Sequence, residues 1–317
     1  MKSIEVATTD FLSYCKNEKR LSFKTIKSYT IDFKQFIAFL CENIYPNQTA
    51  SIDKFVLRHY IQSIYHFKPK TIKRKIATLK ALFNFLEYED IITVNPFRKI
   101  KTKFKIPLEL PRVMNIDEIT KILMAAYVSL TNAKEIGRPF RFERLKEVII
   151  IELLFATGVR VSELSGLRIQ HIDILTWNIT VLGKGNKERL IQVCNIETQL
   201  ILKEYYSHFK EKIDMSGGYF LVNRFNKRLS EQSIRAIVKK YSKEAGILRN
   251  ITPHVFRHSF ATLLLENSVD IKYIQHLLGH SSIVTTQIYT HVNSEKQREI
   301  LSMKHPRQGI KLRLSRR

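Results

Sequence analysis

A mainly α-helical protein of two domains, with a small antiparallel β-sheet in the second, is the fold class that three features of the sequence predict. Apolar residues recur at intervals of three and four along most of the chain, which is the period of a helix buried on one face. One segment, from Trp177 to Cys194, alternates instead around a Gly-rich turn, as a hairpin does. The 317 residues exceed one ordinary domain of ~100–200 residues, and a hydrophobic content of 44% is enough to build real cores.

Charge narrows the class of partner. The chain has 53 Lys+Arg against 29 Asp+Glu, a formal net charge of +24, and the excess is shared almost evenly between the two sides of Arg112. A polyanion facing both halves is the expectation. The longest strongly apolar run, Val148 to Ile151, is broken by Glu152 and falls far short of the ~20 residues that span a bilayer. The start lacks the basic-then-apolar order of a secretory signal, so the expected location is the cytoplasm. Cys15, Cys41 and Cys194 are widely spaced and form no C-x-x-C pair, so neither disulfides nor a cysteine-based zinc site is expected.

Taken in order, Ile26, Tyr29, Phe33, Phe36, Ile37 and Leu40 predict a helix over 25–40. Phe55, Leu57, Tyr60, Ile61 and Ile64 predict a second, and Ile72, Ile76, Leu79, Leu82, Phe83 and Leu86 a third. Residues 1–98 therefore read as a small helical bundle. Its polar faces carry Lys24, Lys27, Lys34, Lys70, Lys73, Arg74, Lys75 and Lys80, with too few acidic residues to match them, which favours a phosphate-facing surface over a merely solvated one. Asn95-Pro96 is read as the stop of the last helix. Residues 99–112, with two prolines and no periodicity, read as a basic linker, and 113–317 as the second domain.

In that second domain Asn115 is a plausible N-cap for 116–125. A polar, basic-rich stretch over 131–144 follows, and then a helix from about Phe142 to Phe155. Trp177, Ile179 and Val181 lead to Gly183-Lys-Gly-Asn186 and are answered by Leu190, Gln192 and Cys194 or by their alternate register. The remainder, to about Met303, is helical.

The residues able to carry chemistry cluster in a few places. Thr252 as N-cap with Pro253 at the first helical position marks a helix start, and the helical projection places His254, Arg257 and His258 on one face, aimed outward, with Phe256, Phe260 and Leu263 on the other. Ile271, Ile274, Leu277 and Leu278 make the stripe of a following helix ended by Gly279, with His280 just beyond. Ser281 or Ser282 can cap a short helix running to Tyr289. Ala156-Thr-Gly158 ends an earlier helix, and Arg160 precedes a new one, where it can hold an anion bidentately or simply pair with Glu163. Lys184 sits at the hairpin tip, with Lys187 as a competitor. His258 and His276 read better as structural hydrogen-bonding groups.

Singly, each of these has an ordinary explanation: a surface ion pair, a solvated lysine, a packed tyrosine ring. Together, in a basic chain without an acidic metal cage, they are what metal-free phosphoryl transfer requires. Arginines and hydrogen-bond donors stabilise charge on phosphate oxygens, and a tyrosine of ordinary pKa ~10 becomes a nucleophile in positive surroundings or beside a base.

Four ordered segments carry a family resemblance: Ala156-Thr-Gly-Val-Arg-Val-Ser-Glu-Leu164, Gly183-Lys-Gly185, His254-Val-Phe-Arg-His258, and Leu278-Gly-His-Ser-Ser-Ile-Val-Thr-Thr-Gln-Ile-Tyr-Thr-His291. With them the chain resembles the tyrosine site-specific recombinases, the phage-integrase and Xer family, over essentially its whole length. The resemblance implies that 1–98 is a SAM-like core-binding domain and 113–317 the catalytic domain, the two closing as a C-shaped clamp on duplex DNA. It implies Tyr289 as nucleophile, Arg160 and Arg257 as the clamp on the scissile phosphate, His280 as a further hydrogen-bond donor and Lys184 as the acid for the leaving 5′ oxygen. His254 is then an acid/base near the tyrosine, and Glu163 a supporting acid that orients its neighbours. It further implies a 3′-phosphotyrosyl intermediate, no cofactor and no metal. The partners implied are double-stranded recombination sites and a homotetramer on two such sites that exchanges C-terminal segments, with a second recombinase or an accessory DNA-bending protein compatible with that assembly. The biological task is integration or excision of a mobile element, inversion, or dimer resolution.

Three rival readings are weaker. A type IB topoisomerase-like enzyme shares the chemistry but reseals the same strand. A non-catalytic DNA-binding regulator has no use for six intact catalytic positions. A zinc site at His254 and His258 has the i, i+4 spacing but no carboxylate partner.

Overall fold

Ser3, Ser22 and Asp53 each turn a side-chain oxygen back onto the free amides of the helix that follows, and so set three of the four N-terminal helix starts. These helices are α1 (Ile4–Asn17), α2 (Phe23–Glu42) and α3 (Lys54–Ser63); the fourth, α4 (Pro69–Tyr88), begins with proline in its first turn, where a missing N–H costs nothing. Helix α1 was not read from the sequence, and Phe55 points to solvent rather than into the bundle. The core of this unit is aromatic-rich, built on Phe11, Phe33, Phe36, Tyr60 and Phe83 with Leu57, Leu79, Leu82 and Leu86. The computed structural model describes residues 2–100, 113–183, 188–279 and 294–311, and the chain divides into two compact units, 1–109 and 110–317.

Lys75 corrects the expected basic face. It is 2% exposed, its ammonium lies with Asp32 and Gln35 and over the Phe67 ring, and Arg74 and Thr78 also reach the buried Asp32 carboxylate. The pairing ties α2 to α4 through charge as well as apolar packing. A second difference concerns the end of α4, which comes at Tyr88 rather than at the proline; Asp90 takes a left-handed φ of 54°, and Asn95 caps only a single 3₁₀ turn over Pro96–Lys99.

The second unit opens with α5 (Ile116–Ile136) and α6 (Arg138–Thr157), packed along each other and joined only by Gly137 at a φ of 125°. Asn115 caps α5 in a full capping box with Glu118. The basic-rich stretch 131–144 thus continues one helix and starts the next, since Arg141 and Arg144 find Glu204 and Glu147 as partners. Then come α7 (Val161–Ser165) and an antiparallel sheet in the order β1 (Ile172–Asp173), β2 (Asn178–Leu182), β3 (Glu188–Gln192). The short β1 was not read from the sequence. Strand β3 uses the alternate register: Arg189 pairs with Val181 and Ile191 with Ile179, so Arg189, Ile191 and Val193 face inward.

Helices α8 (Ile196–Met215) and α9 (Glu231–Glu244) complete the main core around Val148–Leu154 of α6, while α10 (Pro253–Glu266), α11 (Ile271–Leu278) and α12 (Ser294–Lys304) share a smaller cluster of Phe260, Leu264, Val269, Ile274, Leu277, Leu278 and Leu301. No helix among the described residues is long and apolar enough to cross a membrane.

Candidate phosphate-binding site

Helix α6 ends at Gly158, in the left-handed conformation (φ 59°), and the chain re-enters helix three residues later at α7. That tight reversal places Arg160 at the N-cap position of α7 and Glu163 in its first turn. The Glu163 carboxylate accepts from the Arg160 amide at 2.8 Å and from its Nη1 at 2.8 Å. Burial alone raises a carboxyl pKa, but the hydrogen bonds from Arg189 and from the Arg160 amide outweigh it and hold Glu163 below the ordinary range. Glu163 is therefore ionised at neutral pH.

Thr252 caps α10 through the Val255 amide, with Pro253 in the first turn, as the sequence predicts. Arg257 does not point outward with the histidines. It is 5% exposed, donating Nη1 to the Gly158 carbonyl at 2.8 Å and Nη2 to that of Leu278. The α6–α7 reversal and the end of α11 cover that part of the α10 face. Burial, with Arg160 close by, lowers its pKa to about 10, which still leaves it charged at neutral pH. His254, one turn earlier, stays exposed. Desolvation and the positive charges of His258, Arg257, Arg235 and Arg160 lower its pKa, so the neutral imidazole prevails at pH 7.

Helix α11 ends as expected on left-handed Gly279 (φ 62°), although Ile271 of its apolar stripe is solvent-exposed. Its last carbonyls are shared out among arginines: Leu277 accepts from Arg189 Nε at 2.8 Å, Leu278 from Arg257, and Gly279 from Arg160 Nη2 at 3.4 Å. The negative end of a helix dipole is a favourable place for cations. Arg189 is the residue that sequence reasoning missed; it also grips both Glu163 oxygens, at 3.2 and 2.7 Å.

The structure thus brings Arg160, Glu163 and Arg257 together. Lys184, His280 and Tyr289 lie outside the described residues, as does Lys187. Among the described residues no group of three or more His, Cys, Asp or Glu is placed to hold a metal ion, and His254 and His258 gain no third partner of that kind. Three guanidinium groups around one carboxylate leave a surplus of positive charge, suited to an oxyanion that carries more than one negative charge.

The profile of the phage integrase family matches residues 117–296, and that of the phage integrase N-terminal SAM-like domain residues 8–90. The chain is 42% identical to a tyrosine recombinase of Agathobacter rectalis, over 98% of this chain and 99% of the relative. It is 33% identical to tyrosine recombinase XerC of Thermodesulfovibrio yellowstonii, over 96% and 98% of the two chains. Among solved structures, XerH site-specific recombinase in a post-cleavage complex with a palindromic difH substrate matches with a TM-score of 0.66 at 22% identity, over 93% of this chain and 84% of that one. A lambda integrase tetramer bound to a Holliday junction matches with a TM-score of 0.65 at 19% identity, over 90% and 76%. These two likenesses establish the fold. The family profiles and the near full-length relatives place the chain in the phage integrase family, the tyrosine recombinases, which cut and rejoin DNA.

Proposed function

We propose that this recombinase acts at specific duplex sites, with Tyr289 as nucleophile and Arg160 and Arg257 as the clamp on the scissile phosphate. The observation that carries the reading is the joint placement of those two arginines against the end of α11, Arg257 held by the Gly158 and Leu278 carbonyls and Arg160 by the Gly279 carbonyl and the Glu163 carboxylate.

In the proposed reaction the Tyr289 oxygen attacks phosphorus and gives up its proton to a base, for which neutral His254 is the candidate. The bond to the 5′ oxygen breaks, and that oxygen takes a proton from Lys184. The 3′-phosphotyrosyl bond keeps the energy of the phosphodiester, and the 5′ hydroxyl of a partner strand reverses the step and frees the tyrosine. His280 adds a hydrogen bond to a non-bridging oxygen. Positive groups fixed in advance are what lower such a barrier.

The working unit in this reading is a homotetramer on two DNA sites, with residues 1–98 and 113–317 gripping the duplex through the basic 99–112 segment. The cytoplasm is its location, and its task is integration or excision of a mobile element, inversion, or dimer resolution. Tyr289→Phe keeps the ring and removes the nucleophile, so it should bind DNA selected by the wild-type chain yet form no covalent adduct. An adduct trapped with that variant refutes the assignment.

A further inference from the structure

We propose that Arg189 is a charge-balancing positioning residue of the phosphate clamp: by engaging both oxygens of Glu163 it keeps the Arg160 guanidinium available to the scissile phosphate. The inference rests on the reading of Arg160 and Arg257 as that clamp.

Three observations carry it. The Arg189 side chain is 4% exposed while that of Arg160 is 34% exposed, so of the two ionic partners of Glu163 it is Arg160 that faces solvent. Arg189 meets Glu163 through two nitrogens and the Leu277 carbonyl through its third, so its whole fork is committed inside the protein. A β-carbon on Gly279 would lie 3.1 Å from Arg189, which fixes how closely the end of α11 sits on that fork.

Charge then decides the consequence. Arg160, Arg189 and Arg257 against Glu163 leave two positive charges beyond neutrality, matching a phosphoryl transition state whose non-bridging oxygens carry more negative charge than the diester. With a neutral residue at position 189, the Glu163 carboxylate has only Arg160 as a close ionic partner, and one of those two charges is cancelled. Stability gives no sufficient reason for the arrangement, because a buried ion pair often does no better than an apolar pair of the same volume.

The test is single-turnover covalent cleavage, on a duplex selected from a random pool by the wild-type chain, with thermal melts to confirm folding. Arg189→Met is expected to cleave about 10–100-fold more slowly, bounded by the ~10²–10³-fold typical of losing one oxyanion donor outright. Adding Glu163→Gln removes the carboxylate charge and should recover much of the rate, whereas a merely structural role gives two losses that add. On a duplex with a methylphosphonate at the scissile position, where one oxygen charge is gone, the deficit of Arg189→Met should shrink in parallel with that of Arg160→Ala. Cleavage by Arg189→Met within about threefold of wild type, a double variant no faster than Arg189→Met, or an equal deficit on both substrates overturns the inference. If Arg189→Met does not fold, Arg189→Lys decides, because it keeps the charge: it should cleave clearly faster than Arg160→Ala, and equal impairment of the two overturns the proposal. Absence of a Tyr289-dependent adduct with the wild-type chain overturns the clamp reading itself.

Discussion

Gly158→Ala puts a number on how tightly the reversal between α6 and α7 is built. The position has φ 59°, where a residue with a β-carbon loses about 1 kcal/mol relative to glycine. That carbon would also stand 2.5 Å from Cδ1 of Phe260, well inside contact distance. Phe260 is fully buried, with its ring centroid 5.3 Å from that of His305, so it has no free space to move into. Overpacking of such a core costs about 1–3 kcal/mol. The sum is about 2–4 kcal/mol, and for a unit of this size each kcal/mol moves Tm by about 2–4 °C, so a fall of about 4–16 °C is expected by calorimetry or circular dichroism. Since the Gly158 carbonyl also holds Arg257, cleavage should fall beyond what the lost stability explains. Phe260→Leu in the Gly158→Ala background should recover part of the loss, because it removes the clashing ring. A Tm shift under about 2 °C, or no coupling between the two substitutions, refutes the reasoning.

Three further outcomes follow from other parts of the molecule. Burial and the nearby Arg307 charge push His305 down to about 4 despite its bond to the Ala156 carbonyl, so the native state holds the neutral ring while the unfolded chain takes a proton below about 6.5. Its contribution is complete above that pH and is lost as pH falls toward 4, a difference on the order of 3 kcal/mol; denaturant midpoints from pH 7 to 4 should show it, and His305→Asn should flatten the curve. Arg307→Met leaves the fully buried Glu152 without its ionic partner, with only the Tyr127 and Thr198 hydroxyls, and should cost about 3–5 kcal/mol, partly restored by Glu152→Gln; equal stability of Arg307→Met and wild type contradicts this. Lys184→Ala should cleave ordinary DNA slowly but a 5′-bridging phosphorothiolate nearly normally, since a thiolate leaves without a proton, while Arg257→Ala should stay impaired on both. Equal impairment of Lys184→Ala on the two substrates transfers the acid role to Lys187.

Most of the helices were legible because burial imposes a period on the sequence and caps mark the ends; Thr252-Pro253 and Gly279 are where they were expected. What failed was any inference needing to know what lies opposite. A helical projection puts Arg257 on the polar face of α10, but cannot say that Gly158 and the end of α11 close over that face. Lys75 looks like a surface cation until Asp32 is seen facing it from another helix. Arg189 was hidden because the register of β3 stayed open between Leu190, Gln192 and Cys194 and its alternate; the signal was the parity Arg189 shares with Ile191 and Val193. The 131–144 stretch was read only as polar and basic-rich; Arg144 pairs within α6 with Glu147, whereas Arg141 finds Glu204 on α8, far along the chain from where a periodicity count looks.

Chain ends are ordinarily the first places to shorten or fuse, since their backbone is loosely held. The described C-terminal end here is an exception. His305 caps the Ala156 carbonyl at 3.0 Å, Arg307 enters between Glu152 and Glu197 and closes on the Ile310 carbonyl, and the Ala156 and Glu152 contacts bear on the last two turns of α6, directly before Gly158 and Arg160. A chain cut before His305 loses the ionic partner of a buried carboxylate and the cap of a buried carbonyl at once. Trimming must therefore stop beyond Ile310.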